Sequence, residues 1–232
     1  MAYRATASTR RSAEAKRAAI LSAARQAVAE GGFASASVAS IAEGSGVSVG
    51  SVYSYFDNRE TLLARVFRDA AVYELERVAT AVATSDDPVE QMRLLIDTFA
   101  ERALRGRRMA WSLLFEPVIP AVDAERLRLR QSYRDLGEQI IAAGVRTGAF
   151  TPCDVPVVAS AVMGAISEAL VGALNPDLVG PPSADTEALL ATITDFCFRA
   201  LGAGNAVSGP DEPGAGNEVS GPEFPKTSRE PR

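Results

Sequence analysis

The sequence contains no histidine at all among its 232 residues. Histidine is the commonest general base and the commonest zinc ligand, so its absence excludes enzymes built on Ser/His/Asp, Cys/His or HExxH sites. The GxGxxG and Walker motifs that bind nucleotide phosphates are missing as well. We therefore expect neither a catalytic site nor a cofactor.

Cysteines and long hydrophobic runs are scarce. The two cysteines, Cys153 and Cys197, are too few in number and too far apart in sequence for a disulfide scaffold or a zinc site. Both are expected to be ordinary thiols, and the alternative is that Cys153 is reactive. The longest apolar run, 155–166, is far shorter than the roughly 18 residues of a membrane span. The N-terminal arginines precede no apolar stretch typical of a secretory signal. These absences predict a cytoplasmic protein with no membrane partner.

Positive charge is concentrated near the N-terminus. The first 25 residues hold six basic residues against Glu14 alone, whereas the remaining residues carry a net charge of −10. This asymmetry suggests that one end of the protein meets a polyanion. A solvated helix start with an unimportant basic arm would explain the charge equally well.

Apolar residues recur at helical spacing over most of the chain, and no segment alternates like a strand, so the expected fold class is all-α. The first helix is predicted over 12–31, with Gly31 and Gly32 as its stop. Asp57 is the predicted N-cap of a long helix reaching about Thr84, with Leu62, Leu63, Val66, Phe67 and Ala70 on one face. The other predicted helices span 38–44, 49–55, 88–104, 107–115, 123–147, 155–174 and 183–201.

The composition changes at Ala203. Ten of the last thirty residues are glycine or proline, and AGNAVSGP at 203 recurs as AGNEVSGP at 215. Such a segment buries too little apolar surface to offset its ordering entropy. The predicted organisation is therefore a head at 1–58, a helical body at 59–202 and a disordered tail at 203–232.

The stretch GSGVSVGSVYSYFDNRETLL, residues 44–63, has the spacing of a helix-turn-helix. Ala42 stands where two short helices cross, Gly46 can adopt positive φ in the turn, and Val52 is a buried aliphatic residue on the second helix. On that helix, helical spacing places Val49 and Phe56 on the same buried side as Val52.

The opposite side of this helix carries Gly50, Ser51, Ser54 and Tyr55, with Tyr53 at its edge. Small residues let a backbone approach base edges in a DNA groove, and hydroxyls can bond phosphates. Alternatively, the small residues permit tight helix packing and the tyrosines belong to the core. The basic N-terminus favours the DNA interpretation.

Residues 19–67 resemble the DNA-binding domain of the TetR family of transcriptional regulators. The similarity covers the alanine-rich first helix, GGF before the turn, SVASIAEGSGVS for the second helix, and VGSVYSYFDNRETL. It implies a homodimer that reads a palindromic DNA operator through its N-terminal modules and binds a small effector in its helical remainder. The residues it places toward DNA are Ser37, Ser48, Val49, Gly50, Ser51, Tyr53, Tyr55 and Arg59, with Arg59 on a phosphate.

The effector site is expected in the helical body, where large side chains are concentrated in GRRMAWSLLFEP. The candidates for an apolar cavity are Phe99, Arg102, Met109, Trp111, Phe115, Tyr133 and Met163, and Leu114, Leu136 and Ile140 could also line it. Trp111 and Phe115 are preferred, and Arg102 or Glu116 would anchor a polar head group. Aromatic residues and methionines at helical spacing equally describe ordinary core. The effector is expected to be apolar, such as a lipid, a fatty acyl derivative or a hydrophobic drug, rather than a sugar or a nucleotide.

The last two predicted helices, 155–174 and 183–201, are expected to form the dimer interface. Alanines and glycines of the first permit close approach, and Leu189, Leu190, Ile193 and Phe196 of the second form an apolar stripe. Two other functions stay open: a carrier of apolar ligands, and a nonspecific architectural DNA binder.

Overall fold

The computed structural model describes residues 7–178 and 186–203. These residues form ten α-helices and no strand, which confirms the all-α class and the order of a helix-turn-helix head followed by a helical body. The head contains α1 (Ala7–Ser35), α2 (Val38–Ser45) and α3 (Val49–Tyr55). The body contains α4 (Arg59–Val82), α5 (Pro88–Arg105), α6 (Arg107–Leu114), α7 (Pro120–Thr147), α8 (Val155–Ala169), α9 (Val171–Leu174) and α10 (Thr186–Ala200).

Local capping explains where the head helices begin and end. The side chains of Ser37 and Ser48 accept hydrogen bonds from the amides of Ser40 and Ser51, so each serine is an N-cap as its position predicts. Gly46 closes α2 in the left-handed conformation at φ 67°. Helix α1 extends beyond the predicted 12–31, although its helical backbone is interrupted at Gly32, where φ is 80°.

Helix α4 joins the head to the body. Its N-cap is Asn58, whose Oδ1 accepts from the Thr61 amide at 2.7 Å, so the prediction of Asp57 as the cap is wrong by one residue. Asn58 adopts the extended conformation that an N-cap requires, and Glu60 stands in the first turn. The predicted apolar face is confirmed, since Leu62, Leu63, Val66, Phe67 and Ala70 are all buried against α1, α5 and α7.

Two predictions about the body helices are corrected. Helix α7 begins at Pro120 rather than at Asp123, because proline suits the first helical turn. The single helix predicted over 155–174 is divided at the buried Leu170 into α8 and the short α9. Of the helix predicted over 183–201, α10 covers Thr186–Ala200, and 183–185 lie outside the described residues.

The described residues include no helix long and apolar enough to cross a membrane. They also contain no group of histidine, cysteine, aspartate and glutamate side chains that could hold a metal ion. Of the predicted tail, Ala203 packs in a turn against the core, and the remainder, 204–232, lies outside the part of the chain that the structure describes.

Candidate nucleic-acid interface and effector cavity

The second helix of the helix-turn-helix, α3, rests on the head through Val52 and Phe56, which are 1% and 4% exposed. Val49 does not join them: it is 43% exposed, so the sequence prediction of a buried Val49 is wrong. Val49 is the first residue of the seven-residue helix α3. It lies on the open side with Tyr53, which is 49% exposed.

The outward surface of the helix-turn-helix is lined by hydroxyl groups that hydrogen-bond locally. Ser48 Oγ and Ser51 Oγ are 3.0 Å apart, and Ser54 Oγ donates to the Gly50 carbonyl at 3.0 Å. At the start of α2, Ser37 Oγ and Ser40 Oγ are likewise 3.0 Å apart. A Cβ placed on Gly50 would meet only Ser48 Oγ, at 3.9 Å. The protein itself therefore leaves room for a side chain at Gly50.

Tyr55 and Arg59 lie behind this surface. Tyr55 is half-buried and packs against the core. Arg59 Nε donates to the Ala36 carbonyl at 2.9 Å, and its Nη2 donates to the Phe33 carbonyl at 2.8 Å. Much of the donor capacity of this guanidinium is thus directed at the α1–α2 connection, where the resemblance implied a DNA phosphate.

The basic residues near the N-terminus lie along α1 from Arg10 onward, because the helix begins at Ala7. Arg10 and Lys16 are exposed. Arg17 stacks its guanidinium over the Phe56 ring at 5.3 Å, which fixes one positive charge beside the end of α3. The head therefore carries cationic groups next to its small, hydroxyl-rich surface.

The body contains a cavity of about 70 Å³ between α4, α5, α6 and α7. Most of its wall is apolar, formed by Val78, Phe99, Ala103, Gly106, Met109, Ala110, Leu113, Leu114 and Leu129. Three polar residues interrupt it: Glu74, Arg102 and Tyr133. The cavity is smaller than the roughly 150 Å³ that holds one benzene molecule. An effector larger than benzene must widen it or extend out of it.

The polar residues of the cavity come from three different helices. Arg102 of α5 binds Glu74 of α4 through Nε, at 2.6 Å, and Nη2, at 3.0 Å. Tyr133 of α7 packs edge-on against Phe99 at 5.3 Å. Burial and the nearby Glu74 carboxylate raise the pKa of Tyr133, so its hydroxyl stays protonated. Among the described residues, no group hydrogen-bonds to this hydroxyl, which is free to bind a ligand oxygen.

A wider space of about 570 Å³ between α7 and α8 adjoins the cavity, and we call it the vestibule. The two spaces share five lining residues: Phe99, Leu113, Leu114, Leu129 and Tyr133. The lining of the vestibule is more polar than that of the cavity. Its other lining residues are Phe115, Arg126, Leu127, Arg130, Gln131, Arg134, Ser160, Met163, Gly164, Ser167 and Glu168.

The structure brings most of the predicted effector residues together. Phe99, Arg102, Met109 and Tyr133 line the cavity, while Phe115 and Met163 line the vestibule. Trp111 lines neither space within the described residues and instead packs against the Phe115 ring at 5.3 Å. Sequence reasoning missed Glu74 and the α7 arginines, because which face of a long helix meets a cavity depends on packing rather than on composition.

One short helix touches both the cavity and the head. Helix α6 supplies Met109 and Leu113 to the cavity, and Arg108 Nη2 donates to the Gly31 carbonyl at 2.7 Å. Just beyond α6, the buried Glu116 accepts from the Ala34 amide at 3.2 Å. The wall of the cavity is thus bonded directly to the end of α1.

Arg126 of α7 holds the C-terminal end of α6 in place. Its guanidinium donates to the carbonyls of Leu113 at 2.9 Å, Ser112 at 3.2 Å and Glu116 at 2.7 Å. The carbonyls of Ser112 and Leu113 belong to the last turn of α6, where helix carbonyls lack partners within the helix. Arg126 therefore stabilises the segment that carries Glu116 to the head.

Comparisons with known proteins cover both parts of this arrangement. Residues 20–66 match the family model described as bacterial regulatory proteins of the tetR family. Residues 85–170 match the model for tetracyclin repressor-like C-terminal domains. The first match contains the helix-turn-helix, and the second contains most of the cavity wall.

The proteins similar to this chain include regulators of fatty acid metabolism. The fatty acid metabolism regulator protein of Bacillus subtilis is 25% identical over 157 residues, covering 64% of this chain and 78% of that protein. The fatty acid degradation regulator FadR of Bacillus halodurans superposes with a TM-score of 0.65 at 20% identity, covering 77% of this chain and 94% of that one. FadR of Bacillus subtilis in complex with stearoyl-CoA superposes with a TM-score of 0.63 at 21% identity, covering 76% of this chain and 97% of that one. The two structures share the fold of this chain.

Proposed function

This chain belongs to the TetR family of bacterial transcriptional regulators, and we propose that it is a cytoplasmic repressor released from DNA by an acyl thioester. In this proposal a homodimer binds a palindromic operator through two heads, and the effector enters the body. The observation that carries the proposal is a helix-turn-helix bonded, through α6, to an apolar cavity.

The proposed DNA contacts are the exposed residues around α3. Ser37, Ser48, Val49, Gly50, Ser51 and Tyr53 lie on the open side, where a groove can approach them. The serine and tyrosine hydroxyl groups of this surface can bind phosphate oxygens. We assign Tyr55 and Arg59 to positioning this surface, since one packs against the core and the other bonds backbone carbonyls.

The proposed dimer forms through α8 and α10. Val157 of α8 is 63% exposed and Phe196 of α10 is 56% exposed, and these two helices contact each other, so a second copy could cover both side chains. Ala161, one turn after Val157 on the exposed side of α8, leaves space for a second helix to pack closely. A two-fold axis here would present two heads to successive major grooves, roughly 34 Å apart.

The proposed effector has an apolar part that suits the cavity. Nine of its twelve lining residues are apolar or glycine, and the unpartnered Tyr133 hydroxyl can donate to a carbonyl oxygen. Regulators of fatty acid metabolism are among the relatives, and one similar structure holds stearoyl-CoA. An acyl thioester combines the required apolar chain with a carbonyl group.

Release follows from the small size of the cavity. In this proposal, a chain that enters widens the cavity by displacing α6 or α4, which form two of its four helical walls. Displacement of α6 would pull on Gly31 and Ala34 through Arg108 and Glu116, and tilting of α4 would move Asn58 and Arg59. Either movement changes the separation of the two heads away from the groove spacing.

The test begins with selection of bound duplexes from a random pool at near-physiological salt. We expect one palindromic sequence, and decanoyl-CoA should release the protein from it. The variant Ala103→Leu, which fills the cavity, should bind the same duplex but resist release. An absence of any preferred sequence would instead indicate an architectural DNA binder or a ligand carrier.

A further inference from the structure

We propose that Arg130 and Arg134 of α7 form an anion-binding subsite in the vestibule, which holds the phosphate-bearing carrier of an acyl thioester outside the cavity. The proposal rests on the proposed function, because it concerns the same effector. It adds that the protein distinguishes a carrier-linked acyl group from the free fatty acid, and it names the residues that do so.

The three arginines of the vestibule share one face of α7. Arg126, Arg130 and Arg134 are spaced four residues apart, so their side chains project from the same side of the helix. All three line the vestibule, and Glu168 of α8 is the one carboxylate among its described lining residues. The vestibule wall therefore has an excess of positive charge, although the chain as a whole is acidic.

Arg126 and Arg130 differ in what they contact. Arg126 is buried, bonds three carbonyls and lies 3.5 Å from Asp123 Oδ1. Arg130 is exposed, and the described residues provide it with no hydrogen bond or ion pair. Burial lowers the pKa of Arg126, the Asp123 carboxylate raises it, and the positive charge of Arg130 lowers it. The charges of Arg126 and Arg130 therefore lie close enough to repel each other, although Asp123 partly neutralises Arg126.

Arg134 is only partly satisfied. Its Nη2 donates to Gln131 Oε1, but its buried Nε has no hydrogen-bond partner among the described residues. Glu138 Oε1 lies 3.6 Å from this Nε, which makes an ion pair but is too far for a hydrogen bond. Arg130 thus offers free donors and Arg134 adds its Nη1, which bonds no described group, and both guanidinium groups have the planar geometry that suits phosphate oxygens.

The position of the subsite relative to the cavity defines the ligand. Tyr133 lines both spaces, so a carbonyl bound there would have its acyl chain inside and its next atoms in the vestibule. A free fatty acid ends at this point. A thioester continues outward, and a phosphate on its carrier can reach the arginines. The carrier fragment could be coenzyme A or the phosphopantetheine arm of a carrier protein.

The experiment measures the affinity of the full chain for decanoyl-CoA, decanoyl-4′-phosphopantetheine and decanoate by calorimetry. The double variant Arg130→Gln with Arg134→Gln should weaken decanoyl-CoA binding by about tenfold or more, the scale of lost charge-assisted hydrogen bonds. Decanoate binding should not change. A similar loss with the phosphopantetheine thioester would identify its phosphate as the bound group, whereas a loss confined to decanoyl-CoA would identify the nucleotide phosphates.

The matched control is Arg146→Gln, which removes an exposed positive charge from the same helix away from the vestibule. It should leave both affinities as in the wild type. Unchanged decanoyl-CoA binding in the double variant, or an equal loss for decanoate, would overturn the subsite while leaving the effector assignment intact. A wild-type protein that binds none of the three compounds would overturn the effector assignment together with the subsite.

Discussion

Arg59 donates through Nη2 to the carbonyl of Phe33 at 2.8 Å, which ties the first residue of α4 to the end of α1. The same guanidinium bonds the Ala36 carbonyl just before α2. One side chain therefore sets how the recognition module sits on the helix that leads to the body. The charged guanidinium of Arg59 thus donates to two backbone carbonyl groups of the α1–α2 connection.

Replacing Arg59 by alanine should lower the free energy of unfolding by about 1 to 2 kcal/mol, the value of hydrogen bonds from a charged donor. Operator affinity should also fall, because the α1–α2 connection loses its support. The slope of log affinity against log salt should stay unchanged, since no phosphate contact is removed. A slope reduced by about one unit would assign Arg59 to a phosphate instead.

Gly50→Ala separates folding from DNA recognition. The added Cβ meets nothing closer than 3.9 Å within the protein, so stability should rise by about 0.5 kcal/mol. Operator affinity should nevertheless fall by about tenfold, comparable with one mismatched base pair, because the methyl group would keep α3 away from the groove. Gly172→Ala, also in open space on α9, is the control and should leave operator binding unchanged. Equal operator affinity for the two variants would contradict the proposed interface.

Tyr133→Phe removes a hydroxyl that no described group binds, so the melting temperature should change little. Affinity for decanoyl-CoA should fall by up to about tenfold if one neutral hydrogen bond is lost. Tyr53→Phe, on the exposed side of α3, is the matched control and should bind decanoyl-CoA normally. A loss of stability without a loss of affinity would make Tyr133 a core residue only.

Glu125 provides a dependence of stability on pH. A hydrogen bond from Arg68 of α4, at 2.5 Å, holds the pKa of this α7 carboxyl below its ordinary value of 4.5, and Arg128 lowers it further. A carboxylate with a depressed pKa stabilises the fold above its ordinary pKa, and the stabilisation disappears as the pH falls through the depressed value.

Glu125→Gln should therefore cost about 1 kcal/mol at pH 7, a small figure because Arg68 is well exposed. The difference from the wild type should shrink as the pH falls below about 4.5. Chemical denaturation at a series of pH values measures this. The exposed Glu76→Gln serves as control and should differ little from the wild type at any pH. A Glu125→Gln deficit that persists at low pH would show that packing, not charge, accounts for it.

The head was predictable because its determinants are local in sequence. Ser37, Gly46 and Ser48 act on residues three or four positions away, and the structure places them as caps and turn as expected. Val49 was misplaced because helical spacing assigns a direction to a side chain but not the length of the neighbouring helix. At the first residue of α3 this side chain stays 43% exposed.

The cavity was only partly predictable. Enrichment of aromatic residues and methionine identified Phe99, Met109 and Tyr133, which are large enough to form walls wherever they lie. Trp111 was predicted on the same grounds, but it does not line the cavity and packs against Phe115 instead. The hydrogen-bonded ion pair between Arg102 and Glu74 joins residues 28 positions apart in sequence, and a local sequence pattern cannot predict such a contact.

Helix α6 has a thermodynamic consequence for the proposed regulator. Helix α6 is both a wall of the cavity and a contact of α1. In the proposed regulator, effector binding and DNA binding therefore require different positions of this helix. Linkage is reciprocal: if the effector weakens operator binding by some factor, the operator weakens effector binding by that factor. Effector affinity measured on free protein will therefore exceed the affinity at an occupied promoter, and the concentration that induces a gene will rise with the strength of its operator.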